Sequence, residues 1–500
     1  MNEKMNEALE QISDGHLEEA AQGRKKRHGA RWLGAIAAVL AVAIAWGAIW
    51  KGLQKPTVPQ LQATAPQLQA TDPAPIAPPS LGINKLAAEP VYPELILLPK
   101  RADFDNSGDY DAQYFKWRDQ QQALYDQPQG YADSLDSFFA RSIPEFLSGE
   151  GNRAYSPLTA YLAMAMLAQS TGGNSRQQIL DLFGLDSIEA LQEQADHVWT
   201  AHYRGDGQCS TLLANSLWLD SYFSFKDTTV QTLAQSYYAS VFHADLGTEE
   251  ANQMLRDWLN TQTGGLLQEQ AGNLELDPHA VFVLASTCYF NAGWSSKFSP
   301  ENTADGTFHC KDKDITTPFM NQTLDFDIYY RGTDFGAVQL ELNGDNSMWL
   351  ILPDEGKTVE EVLASTEYWE MTQNTRAWTN KQYTKINLSL PKFDISTQSD
   401  LIGGMKNLGI ADVFDKNKSD FSPIADLFSA RVSKIDHAVR VSIDEEGVVA
   451  ASYTVVEIRD EGILPLPKDE IDFTLDRPFL FLVTSQDNLP LFTGIVEQPC

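Results

Sequence analysis

The chain has 500 residues, 43% of them hydrophobic, and a formal charge of −31. That length allows one large domain with appendages and a sizeable core. So strong a negative charge excludes nucleic acid and anionic surfaces as partners for the bulk of the chain.

The first ninety residues differ from the rest. Residues 1–31 read as a cytoplasmic tail that ends in a basic cluster, Arg24, Lys25, Lys26, Arg27 and Arg31. The run WLGAIAAVLAVAIAWGAIW, 32–50, carries no charge, and Lys51 closes it. At about 1.5 Å per residue the run nearly spans a hydrocarbon layer of roughly 30 Å. Trp at both ends and the basic flank predict an uncleaved, single-pass signal anchor in the cell membrane, with the N-terminus cytoplasmic and the body extracellular. The alternative, a cleaved signal peptide, fits less well, because the preceding segment is long and the apolar run exceeds a usual signal core. Residues 51–90, rich in Pro, Ala and Gln, read as a semi-extended linker. Residues 91–130 read as an extension containing one amphipathic helix, YDAQYFKWRDQQQALYDQ.

Two short motifs interrupt the pass. DFDNSGDYD (103–111) begins like a calcium loop, but Tyr114 stands where the bidentate acid would be needed, so a polar surface turn is expected. Arg204, Gly205 and Asp206 spell a tripeptide used by some adhesive ligands; an exposed turn is the simpler expectation. No metal site and no cofactor are expected.

The body, 131–500, starts with helices. In SPLTAYLAMAMLAQSTGG, Ser156 can cap, Pro157 fits the first turn, and Gly172 and Gly173 end the helix. TEEANQMLRDWLNTQTGG is a second helix with a Gly stop. AVFVLASTCYF and SMWLILP read as fully buried strands, TKINLSLPKF alternates, and LFLVTSQDNLPLFTGIVEQP reads as a terminal hairpin. Helices first and strands later, without a βαβ rhythm, predict an α+β fold with large antiparallel or mixed sheets. Cys209, Cys288, Cys310 and Cys500 show no zinc or redox spacing. There is no GxSxG elbow, no HExxH pair and no phosphate-cradling loop, so no enzyme is expected.

One stretch remains, IDEEGVVAASYTVVEIRDEGILPLPK at 443–468. From Gly447 to Val456 it has neither charge nor proline. With period two, Val448, Ala450, Ser452, Thr454, Val456 and Ile458 form an uncharged set, while Val449, Ala451, Tyr453, Val455, Glu457 and Arg459 form the other, which carries the charges. That is the pattern of a strand with one buried face.

At these residues the chain resembles the serpin family, over 131–499. SPLTAYLAMAMLAQSTGGNSRQQI resembles that family's shutter and second helix, and WLNTQTGG its helix-ending motif. YFNAGWSSKFSPENTADGTFH is similar to the breach strand, with Trp294 as the breach tryptophan. SMWLILPDE, VSIDEEG, RPFLFLV and LFTGIVEQP follow in the family's order. The resemblance implies a large central mixed sheet, two smaller sheets, surrounding helices and an exposed reactive-centre loop.

It also implies a mechanism: a suicide inhibitor that traps a serine protease, or a cysteine protease, covalently after loop cleavage and strand insertion. The alternative is a non-inhibitory serpin acting as a cell-surface binding module. The hinge and inserting loop would be Glu445, Glu446, Gly447, Val448, Val449, Ala450, Ala451, Ser452, Thr454 and Val456. Gly447 would ease the backbone change there. The reactive bond, counted from the hinge, would join Glu461 to Gly462; Arg459 to Asp460 and Ile463 to Leu464 stay open. The shutter would comprise Ser156, Thr159, Ser286 and His437. The sequence departs from inhibitory members at Val448 and Val449, where they carry Thr or Ser and then an acid, and at Ser286, where they carry Asn.

Overall fold

Residues 86–207, 209–272, 274–427, 429–448 and 469–499 are described by a computed structural model. The expected anchor at 32–50 and the loop residues 449–468 lie outside the described residues. Backbone contacts divide the chain into units 1–69 and 70–500, and the described residues belong to the second.

The Pro157–Ser170 helix forms where its cap predicts. The Ser156 side chain accepts from Thr159 N, and Pro157 opens the first turn. Apolar residues surround it on all sides, so it is buried almost throughout. The Glu249–Gln262 helix is capped by Thr248 and turns Leu255 and Trp258 inward. The segment with the calcium-like spacing is instead the start of the Ser107–Tyr125 helix. Asn106 Oδ1 accepts from Asp109 N at 2.9 Å as its cap. Short Asx side chains favour such caps, which explains the acid-rich spelling.

Strands are numbered in chain order. The first sheet has eight: β1 (Leu86–Ala88), β3 (Arg204–Gly205), β4 (Cys209–Asp220), β5 (Ala239–Ala244), β6 (Phe282–Gly293), β12 (Phe393–Asp400), β13 (Asp436–Ile443) and β14 (Gly447–Val448). Their order is β1-β5-β4-β6-β14-β13-β12, with β3 on β4; β4 and β5 run parallel, so the sheet is mixed.

The second sheet has nine: β2 (Arg153–Tyr155), β7 (Ala304–His309), β8 (Asp314–Arg331), β9 (Phe335–Leu342), β10 (Asn346–Pro353), β11 (Lys381–Pro391), β15 (Glu470–Thr474), β16 (Phe479–Thr484) and β17 (Pro490–Val496). Two smaller sheets were expected, and one continuous path is found. The cause is β8. It pairs with β11 along most of its 18 residues and with β9 only at Tyr329, Tyr330 and Arg331, which joins the two halves. The expected terminal hairpin is β16 with β17.

Two expectations are corrected by burial. Residues 282–286 of β6 are only half-buried, although the run reads as a core strand. On the side away from β4, β6 pairs with β14 at Gly293 and Ala292 alone. Arg204, Gly205 and Asp206 form no exposed turn. Arg204 is 8% and Asp206 1% exposed, and the two are ion-paired at 2.7 Å.

Candidate functional site

β14 is two residues long and sits between β6 and β13. Gly447 lies opposite Gly293, and Val448 lies opposite Ala292 on one side and Ile443 on the other. Beyond that point β6 and β13 do not pair with each other among the described residues. A cavity of about 1040 Å³ opens there, lined by 282–288 of β6 and 436–440 of β13. Unpaired strand edges facing each other across a gap are a template for one more strand.

The head of this slot is tightly built. Asp444 Oδ1 accepts from Glu446 N at 2.9 Å and from Gly447 N at 3.3 Å, while Asp444 N donates to Gly447 O at 3.1 Å. This Asx turn folds the chain back from β13 into β14. Gly447 is required by close approach: a Cβ there would lie 2.3 Å from Ala292 O and 2.6 Å from Gly293 Cα. This tight space beside β6 is a requirement separate from the backbone freedom expected of a hinge.

Trp294, 2% exposed, donates its indole N–H to Asp444 O at 2.8 Å and its backbone N–H to Glu446 O at 3.0 Å. Phe298 N donates to Glu445 O at 3.2 Å. Glu446 pairs with Lys297 at 2.5 Å. Glu445 pairs with Lys392 at 2.6 Å and accepts from Thr303 Oγ1 at 2.7 Å. Burial pushes the Glu445 carboxyl up, but the Lys392 ammonium and the Thr303 hydroxyl outweigh it and hold it below the usual range.

Ser156, Thr159, Ser286 and His437 all line the cavity. Ser156 N donates to His437 Nε2 at 3.1 Å, Ser156 Oγ to Leu491 O at 2.8 Å, and Thr159 Oγ1 to Ser156 O at 3.3 Å. Burial pushes the His437 imidazole down to about 4, so it stays neutral and can accept. Ser286 stays outside this network; its buried hydroxyl has no hydrogen-bond partner among the described residues.

The structure thus brings Glu445, Glu446, Gly447, Val448 and Trp294 together at one point of the slot, and Ser156, Thr159 and His437 at another. Val449, Ala450, Ala451, Ser452, Thr454, Val456, Glu461 and Gly462 lie outside the described residues. Sequence reading missed Asp444 as the turn's anchor. The D-x-x-G spelling at 444–447 was the available signal. It also placed Val448 in a loop, whereas Val448 is a strand residue, 2% exposed. Among the described residues no cluster of His, Cys, Asp or Glu could hold a metal ion.

A family model described as Serpin (serine protease inhibitor) matches residues 137–499. The chain is 28% identical to alpha-1-antiproteinase 2 of Equus caballus over 374 residues, covering 72% of this chain and 85% of that protein. In fold it is similar to the native state of the thermophilic serpin tengpin, with a TM-score of 0.66 and 24% identity over 74% of this chain and 95% of that one. It is also similar to human thyroxine-binding globulin, with a TM-score of 0.65 and 21% identity over 74% and 99%.

Proposed function

The chain belongs to the serpin family, and from that premise we propose that it inhibits serine proteases as a suicide substrate. The observation that carries this reading is the slot between β6 and β13, with Gly447 and Val448 already seated at its head. The run 449–456 that follows them carries no charge, so it could line a buried strand position without the cost of desolvating an ion. Cleavage at the bond after Glu461 would leave that carbonyl esterified to the protease serine and release Gly462 as an amine. The freed strand would then extend β14 down the slot and carry the acyl-enzyme with it. The chain is in this reading a substrate that fails to turn over, and no enzyme itself.

The reading is tested by incubating the full chain with elastase-like, trypsin-like, subtilisin-like and papain-like proteases. A complex that survives a denaturing gel is expected with one of the serine enzymes. Cleavage by all of them, without a complex and without a gain in thermal stability, would overturn it. Mass spectrometry of the released C-terminal fragment distinguishes Glu461 from Arg459 and Ile463 as the residue before the cut.

A second reading, a non-inhibitory surface binding module, is favoured by Val448, Val449 and the unpartnered Ser286, which depart from inhibitory members. Thyroxine-binding globulin, whose name describes binding, shares the fold. Cleavage without a complex, together with retained partner binding, is its signature.

We further propose that 32–50 anchors the chain in the cell membrane with the inhibitor outside, on the basic flank, the uncharged run and the Trp pair. Among the described residues no helix is long and apolar enough to cross a membrane. The chain should stay with membranes through a high-salt wash and leave them in detergent; release by salt alone overturns the anchor.

A further inference from the structure

Residues 86–125 precede the matched family region, yet they are bonded into the body at several points. β1 adds an antiparallel strand to β5 at the edge of the eight-stranded sheet. Tyr92 stacks on Trp199, Tyr203 and Tyr238, with ring centroids 5.4, 5.4 and 6.5 Å away. Leu98 N donates to Asp206 O at 2.7 Å. The Ser107–Tyr125 helix then ends at the most informative contact. Tyr125 OH donates to Asp345 Oδ2 at 3.0 Å and accepts from Arg204 Nη1 at 3.0 Å. Arg204 Nη1 also reaches Gly344 O at 2.9 Å, and its other nitrogens hold Asp206 at 2.9 and 2.7 Å. Burial pushes the Tyr125 phenol up to about 12, so the hydroxyl keeps the proton it donates.

The position of this cluster matters. Arg204 lies in β3 and Asp206 just after it, before β4, whose first residue, Cys209, pairs with Ala292 of β6, the partner of Val448. Gly344 and Asp345 form the turn between β9 and β10 of the other sheet, and the neighbouring Asn343 N donates to Gly293 O at 2.9 Å. β1, β5, β4 and β6 are hydrogen-bonded in series, so any change in the gap to β13 moves them as a group. Tyr125 bridges one element of the moving group to one of the sheet beneath it. We propose that residues 86–125 are a latch on the slot, with the Tyr125 hydroxyl as its bolt, so that the extension sets how readily the sheet opens to another strand.

The latch rests on the insertion reading above, and one assay separates the two. A fluorescent synthetic peptide, VVAASYTVV, is incubated with the full chain, and its uptake is followed on native gels. No protease is involved. Wild type should take it up slowly, and Tyr125→Phe about five- to tenfold faster, as expected when one hydrogen-bond bridge is lost from the closed state alone. Asp345→Gly, which removes the acceptor and suits the left-handed backbone at that position, should behave alike, and the double variant should be no faster than either single one, since both break the same bridge. Phe115→Ser, on the exposed side of the same helix, should match wild type. Uptake by Tyr125→Phe and Asp345→Gly at the wild-type rate overturns the latch and leaves insertion standing. Uptake by none of the proteins overturns insertion, and the latch with it.

Discussion

Two buried histidines respond to pH in opposite directions. His202 Nε2 lies 3.0 Å from Asp487 Oδ1. Burial opposes its charge, but the Asp487 carboxylate and the Val198 carbonyl hold its pKa above the usual value. Asp487 is likewise opposed by burial and held well below the usual carboxylate range by His202. The pair's stabilisation is therefore complete below pH ~6.5 and is lost as pH rises through the His202 pKa; on the acid side it is lost as pH falls below ~4. Asp487→Asn should lower stability by about 2 kcal/mol between those limits, and less outside them, in melts run across pH. His437 has the reverse sign. Its depressed pKa, about 4, contributes stability above pH ~6.5 that is lost as pH falls toward 4. At Gly447, Ala would place a Cβ 2.3 Å from Ala292 O. Gly447→Ala should cost about 1–3 kcal/mol and unseat β14, visible as a lower melting temperature and faster proteolysis after residue 443. The sequence made Gly447 conspicuous as a hinge; the close approach of a backbone on another strand is a further constraint there, which no local pattern encodes.

At the scale of elements, β14 is the part on which the proposed insertion turns. Val448 is 2% exposed between Ala292 and Ile443. Val448→Arg should destabilise by about 2–4 kcal/mol and turn trapping into plain cleavage, read as the ratio of complex to cut chain on a denaturing gel. Persistent trapping would sink the insertion model. Helices with strong caps were legible, because Ser156 and Thr248 act within three residues of themselves. β6 was misjudged. Its composition is that of a core strand, but half its edge faces the slot, and hydropathy does not register a missing neighbour. The buried tripeptide at 204–206 was misjudged for the converse reason: its charges are satisfied by each other and by Tyr125, 79 positions away.

At the scale of the whole molecule, the order of weak motifs along 131–499 was enough to read the fold, since each fragment marks one element of a fixed topology. The fusion of two sheets by β8 and the docking of 86–125 were not legible, because both depend on contacts distant in sequence. Filling the slot should add roughly nine residues of paired strand, worth about 1 kcal/mol for each hydrogen bond made. The cleaved chain should therefore melt more than about 10 °C above the intact one in calorimetry; equal melting temperatures would show the slot stays unfilled.

In the proposed insertion, the seat of Val448 would act as a start codon for the strand that follows. A strand arriving from solution would have to search for its alignment, which is the slow part of long-range pairing. With Val448 already seated, the alignment would be fixed in advance, and every later residue would be read in the frame that Val448 sets. In that frame Ala450, Ser452, Thr454 and Val456 would share the face of Val448. One residue inserted after Val448 would shift the frame and present Val449, Ala451, Tyr453 and Val455 in their place, whereas two inserted residues would restore it.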